Sequence, residues 1–202
     1  GYYALVANTT GTNNSAFGKD SMLANTTASF NSGFGKSTLK ANTTGHNHTA
    51  VGYEALKANT TGTHSTALGS TALLANTTGG ANVAVGSRAL EANTTAASNT
   101  AVGYKAMLST TTGANNVAVG RDSLAANTTA GDNVAIGDSA MLVNTTGAAN
   151  VAIGSQALDA NTTGGSNVAI GRLAMTNNTT GDYNCSAGFQ AGNATTTGSQ
   201  NT

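Results

Sequence analysis

The sequence predicts an all-β fold, a parallel β-solenoid (β-roll) with one 17-residue repeat per coil. Three observations predict it. The triplet Asn-Thr-Thr returns every seventeen residues from Asn8, with no insertion or deletion to the last residue. A glycine returns at the same interval in every copy. Between triplet and glycine lies a short alternating stretch that reads Val-Ala-Val or Val-Ala-Ile in the middle copies. A fixed period near 20 residues, held for many copies, marks a stacked array, because each unit buries its apolar face only against its neighbours.

The elements follow in order, with the Asn of the triplet counted as position 1. Asn8, Asn25, Asn42, Asn59, Asn76, Asn93, Asn127, Asn144, Asn161 and Asn178 each open Asn-Thr-Thr, and Thr110 and Thr195 fill the slot in the two copies without it. Asn, Thr and the Gly that usually follows are turn residues, the first two through side-chain bonds to nearby backbone. Position 7 is Asn in ten of twelve copies, including Asn82, Asn99, Asn116, Asn133, Asn150 and Asn167; His48 and Ser65 are the exceptions. Stacked Asn side chains pair with their copies above and below, as in cross-β ladders.

Positions 8 to 10 read as a strand. Its outer residues, such as Val117 and Val119, share one face, and being β-branched or apolar in most copies they read as a buried stripe. Ser15, Ser32, Thr49 and Thr66 make that burial partial in the early copies, and position 10 stacks Phe17 on Phe34. The middle residue is always Ala, Gly or Ser and points the other way. A solvent-facing position would have drifted to larger residues, so something packs closely there, and a neighbouring chain around a shared axis is expected; the alternative is a tight monomeric roll with that face simply uncrowded.

Position 11 holds Gly18, Gly35, Gly52, Gly69, Gly86, Gly103, Gly120, Gly137, Gly154 and Gly171, with Gly1 and Gly188 at the ends. Such a slot requires positive φ or close backbone approach. A second extended stretch, Ala-Leu-x-Ala, completes the coil, with Leu or Met at position 15 filling its centre. It is too short for a helix and runs into β-branched threonines. About twelve coils at ~4.8 Å give a rod on the order of 55 Å.

Residues 1–202 read as one continuous solenoid, with 182–202 as degenerate repeats, because Cys185, Ala187 and Gly192 replace Val, Ile and Leu. This end is a junction towards another segment or simple drift. Both termini fall in mid-repeat, which reads as a segment of something longer.

Composition narrows the function. Eight Lys plus Arg balance eight Asp plus Glu, and all sixteen fall at positions 5, 6, 12, 13 and 16. That gives no electrostatic reason to expect nucleic acid or an anionic membrane as partner. No apolar run approaches the ~20 residues of a membrane helix, so membrane insertion is not expected. Proline is absent, which suits a sheet ladder. Cys185 is the only cysteine, so no disulfide forms within the chain. His46, His48 and His64 lack a cysteine or paired carboxylate and read as polar surface filler rather than a metal site. No catalytic spacing and no cofactor motif is present, so the chain does not read as an enzyme.

The repeated string Asn-x-Ala-Val-Gly-x-x-Ala-Leu-x-Ala-Asn-Thr-Thr-Gly, and the Asn-Val-Ala-Ile-Gly core at Asn133–Gly137, Asn150–Gly154 and Asn167–Gly171, resemble known repeats. They are similar to the head repeats of trimeric autotransporter adhesins and to arrays in bacteriophage tail-fibre proteins, over essentially the whole chain. The adhesin repeats are usually shorter than seventeen residues. The resemblance implies a homotrimeric fibre shaft, extracellular, at a cell surface or on a virion, giving stiff reach and multivalent display. Receptor or glycan binding then belongs to regions outside this chain.

Two other functions fit the residues. The ten Asn-Thr-Thr triplets are N-glycosylation sequons, so a self-assembling, glycosylated extracellular filament is one alternative, with Asn8, Asn25, Asn42, Asn59, Asn76, Asn93, Asn127, Asn144, Asn161 and Asn178 as candidate glycan sites. The files of threonine suggest an ice-binding solenoid as the other, although adjacent threonines suit that less well than threonines two apart.

Overall fold

The computed structural model describes all 202 residues. Eleven strands of three residues form one parallel sheet in chain order: β1 (Ser15–Phe17), β2 (Ser32–Phe34), β3 (Thr49–Val51), β4 (Thr66–Leu68), β5 (Val83–Val85), β6 (Thr100–Val102), β7 (Val117–Val119), β8 (Val134–Ile136), β9 (Val151–Ile153), β10 (Val168–Ile170) and β11 (Cys185–Ala187). Each residue pairs with the one seventeen later, as in Val117↔Val134 and Val119↔Ile136. The chain is a β-solenoid of about ten turns with one repeat per coil. Coil-to-coil bonding also runs outside the sheet: of 130 backbone hydrogen bonds only 20 lie within strands, and others join turns of neighbouring coils, as in Leu39 N–H to Ala55 O and Thr43 N–H to Thr60 O.

The glycine corner meets both demands read from the sequence. Gly120 has φ +137°, and a Cβ there would overlap the carbonyl of Gly137 in the next coil. The expected second extended stretch is absent. Positions 11 to 17 instead form two successive turns, closed by Ser123 N–H to Gly120 O at 3.4 Å and Asn127 N–H to Leu124 O at 3.3 Å. Positive φ at Asp122 (53°), third residue of the first turn, is the type II pattern. Position 15 is also left-handed, with Leu124 at φ 52° and Met107 at φ 51°. That conformation costs a non-glycine residue about 1–2 kcal/mol. It turns the side chain into the coil, where full burial returns roughly 2–3 kcal/mol.

The core reverses the expected orientation of the strand. The middle alanines, Ala50 to Ala169, are fully buried and pack with the Leu/Met file of position 15 and the alanines of position 14. The outer residues face away from the coil: Ile136, Ile153 and Ile170 remain 37–42% exposed. The small residue thus marks the interior of a narrow roll. One large side chain per layer fills that interior, and a valine at position 9 would overfill it.

The register continues into the degenerate end. β11 pairs with β10, and Asn201 bonds to Asn184 as its predecessors do. The large-residue file ends at Met175, whose Cγ lies where a side chain at Gly192 would project.

Candidate functional site

Two asparagine ladders run through the coil interior. At position 7 the side-chain oxygen of each Asn accepts the backbone N–H of the next coil's residue, as in Asn116 N–H to Asn99 Oδ1 (2.9 Å) and Asn133 N–H to Asn116 Oδ1 (3.0 Å). The two exceptions keep the pattern. His48 Nδ1 accepts Ser65 N–H at 3.2 Å, and Ser65 Oγ accepts Asn82 N–H at 3.3 Å. At position 1, each Nδ2 donates to the Oδ1 of the preceding coil and to the carbonyl three residues ahead, as Asn59 does to Asn42 (2.8 Å) and Gly62 (3.2 Å). The ladders converge: Gly164 O accepts Asn150 Nδ2 and Asn161 Nδ2, both at 2.9 Å.

Thr110 interrupts the second ladder and leaves buried Asn93 Oδ1 without a partner. Replacing Thr110 with Asn restores the donor, so the T110N variant is expected to gain about 1 kcal/mol in denaturant unfolding. A loss of stability would contradict the ladder assignment.

This geometry corrects the glycosylation reading. Asn25, Asn42, Asn59, Asn76, Asn93, Asn127, Asn144, Asn161 and Asn178 are fully buried, and Asn8, at the end of the file, is half-buried. Their Nδ2 atoms point into the coil and are already bonded; Asn8 Nδ2, for example, donates to Gly11 O at 2.9 Å. A glycan on any of the nine buried nitrogens is incompatible with this fold, and the turn-and-ladder role explains the recurrence of the triplet.

The triplet threonines do not form two outward files. At position 2 the hydroxyl donates to the same residue's carbonyl in the next coil, as Thr60 Oγ1 does to Thr77 O at 3.0 Å. The position-3 threonines, such as Thr61 and Thr78, face solvent.

Surface filler describes His46 and His64 but not His48, which the register carries into the coil interior. His48 is buried at the place of an Asn, with Nε2 2.6 Å from Gly62 O. With Ser65 N–H directed at Nδ1, the ring is neutral and protonated on Nε2, so it copies the donor and acceptor of an amide. Burial holds its pKa below the ordinary imidazole value, against the opposing pull of the Gly62 and Ser65 carbonyls. The unfolded chain therefore binds more protons below about pH 6.5, and this contribution to stability is present above that pH and lost as pH falls. The H48N variant is expected to lose less stability than wild type between pH 8 and pH 5. Equal losses would contradict the buried neutral ring. His64 lies apart from His48, with Nε2 3.2 Å from Asn47 Nδ2 and its ring edge-on to His46 at 5.9 Å.

The outward sheet face exposes apolar side chains along the rod. Position 10 presents Phe17, Phe34, Val51 and then aliphatics to Ile170, and position 8 presents Ser and Thr early and Val late. Phe17 and Phe34 stack at 5.0 Å with planes 5° apart. This two-file face is where the sequence reading placed the core stripe.

Elsewhere the surface groups pair locally. Tyr53 lies under Lys36, Tyr104 under Lys105 and Phe189 under Arg172. Arg121 holds Asp138 of the next coil through two bonds of 2.7 and 3.0 Å. A shallow apolar trough of about 550 Å³ is lined by Leu23, Leu74, a row of alanines that includes Ala41 and Ala58, and two lysines. The lysines at its rim are paired, Lys40 with Asp20 at 3.5 Å and Lys57 with Glu54 at 2.9 Å. No protein-family model, curated protein or solved structure matches the chain.

Proposed function

We propose that this chain is a shaft segment of a homotrimeric fibre, extracellular, at a cell surface or on a virion. Its work is mechanical: stiff reach and multivalent display for attachment, with any receptor or glycan bound by regions outside the chain. The observation that carries this reading is the uninterrupted bonding along the rod. Backbone bonds on the strand and on the turns, together with the position-7 ladder from Asn14 to Asn201, tie every coil to the next. Bending such a rod requires stretching several bonds in each layer at once. The repeat resemblance to tail-fibre and adhesin arrays supports the same assignment.

Stiffness is directly measurable. Spin labels on cysteines introduced at Thr27 and Thr180, with Cys185→Ser, stand nine coils apart on the exposed position-3 file. In particles where labelled chains are diluted with a large excess of unlabelled C185S chain, the expected result is a narrow distance distribution centred near ~43 Å, before allowance for the label arms. A broad or much shorter distribution overturns the shaft reading.

A further inference from the structure

The eight cations of the chain fall into two groups of four. Lys40, Lys57, Arg88 and Arg121 each hold a carboxylate. Lys19, Lys36, Lys105 and Arg172 hold none. The second group is not scattered. Its members accompany the four aromatic residues of position 12: Tyr2, Tyr53, Tyr104 and Phe189. Lys36 Nζ lies 5.6 Å from the centre of the Tyr53 ring, and Lys105 Nζ 5.0 Å from that of Tyr104. The Arg172 guanidinium carbon lies 5.7 Å from the centre of the Phe189 ring. Lys19 takes position 12 one coil after Tyr2.

The fold does not account for these rings. They are 46–68% exposed, and the same slot takes Ser70, Ser87 and Ser155 with no break in register. A cation against an exposed ring gains only weak attraction, so it stays available to an anion. The spacing is regular where the rings are tyrosines. Tyr2, Tyr53 and Tyr104 follow one another at three-coil intervals, or about 14 Å along the rod. Between them the slot carries Lys19 and Lys36, then Ser70 and Ser87, all hydrogen-bond donors. Positions 12 and 13 together hold six cations and four carboxylates, which makes this corner the positive side of a chain with zero net charge.

A flat ring beside an unpaired cation, repeated at wide intervals on a straight edge, suits a linear polymer with flat apolar faces and sparse negative charge. An acidic polysaccharide has both. The C–H face of a sugar ring stacks on tyrosine, its hydroxyls accept from lysine and serine, and its carboxylate or sulfate group meets the ammonium in a charge-assisted bond. Nucleic acid fits less well. It carries a charge about every 3.4 Å per strand, most of which cations so widely spaced leave unneutralised.

We infer that the position-12 corner is a lateral binding track for a linear acidic polysaccharide, with Tyr53 and Tyr104 as stacking platforms and Lys36 and Lys105 as the contacts to its anionic groups. The shaft reading leaves glycans to regions outside the chain; the track adds one on the chain itself, whether single or bundled. Each unit is weak alone, and units engaged by one polymer reinforce one another.

The test titrates wild type, Y53S/Y104S, K36Q/K105Q and the control Y183A with polygalacturonate, heparin, neutral dextran and oligo-dT by calorimetry at low salt. Serine already occupies the slot elsewhere, and Tyr183 is 64% exposed at position 6, away from the track. Wild type is expected to bind polygalacturonate, heparin or both, to bind neither dextran nor oligo-dT as tightly, and to release the polymer as salt is added. Preference between the two acidic polymers then assigns carboxylate or sulfate as the anionic group. Both double variants should lose affinity by about tenfold or more, with Y183A unchanged. No binding of either acidic polymer, or equal affinity in all four chains, would overturn the track. A loss in Y53S/Y104S without one in K36Q/K105Q would overturn the acidic ligand, and tighter binding of oligo-dT would overturn the polysaccharide. None of these results depends on the number of chains in the particle, so the shaft reading stands or falls separately.

Discussion

The Gly120→Ala variant is expected to lose about 3 kcal/mol of unfolding free energy, and Gly120→Val more. Two costs coincide at this residue. Its φ of +137° lies in a region that residues with a side chain rarely adopt, and the added Cβ meets the carbonyl carbon of Gly137 at 2.6 Å. Relief requires the coils to part, which stretches the 2.8 Å bond from Gly137 N–H to Val119 O. Because solenoid stability is close to a sum over neighbouring coils, hydrogen exchange should rise mainly in β6 to β8. Gly113→Ala is the control. It too approaches the next coil closely, but its φ is not positive, and the same position holds Ala28, Ala96 and Ala130 elsewhere in the chain. A small loss at Gly113 beside a large one at Gly120 is expected. Equal and small losses would contradict the corner.

Ala118→Lys and Val119→Lys are expected to act in opposite ways, although the residues are adjacent. Ala118 is fully buried in the Leu/Met core, where an unpaired ammonium finds neither space nor a partner. The expected cost is several kcal/mol, on the order of 3–5, seen as a large drop in Tm and loss of the folded spectrum in the coils around β7. Val119 faces outward, and lysine there leaves the coil intact. A stable A118K chain beside an unfolded V119K chain would show the strand to be turned the other way.

Most of the architecture was legible in the sequence because repetition exposes each position many times. The period, the parallel register, the glycine corner, the Leu/Met file and the position-7 ladder all follow from slots that vary little. The direction of the strand did not follow. Val-Ala-Val suggests by hydropathy that valine is inside, but in a roll this narrow the volume of Leu or Met at position 15 decides, leaving room only for alanine opposite. One signal pointed that way: position 8 accepts Ser15, Thr49 and Val117 alike, whereas position 9 is only ever Gly, Ala or Ser. The triplet Asn misled for a related reason. Asn-Thr-Thr reads as a surface sequon, and only the fold reveals that its amide is spent on the ladder. The turns of positions 11 to 17 left little trace, since Leu and Met at position 15 adopt positive φ against their own preference.

The shaft account is tested most directly by the solution mass of the wild-type chain, measured by light scattering on a size-exclusion column. The expected value is three times the 19.7 kDa chain mass, in a single monodisperse peak. A stable peak at 19.7 kDa would contradict it, because the Val/Ile face would then stand in water with no copy to cover it.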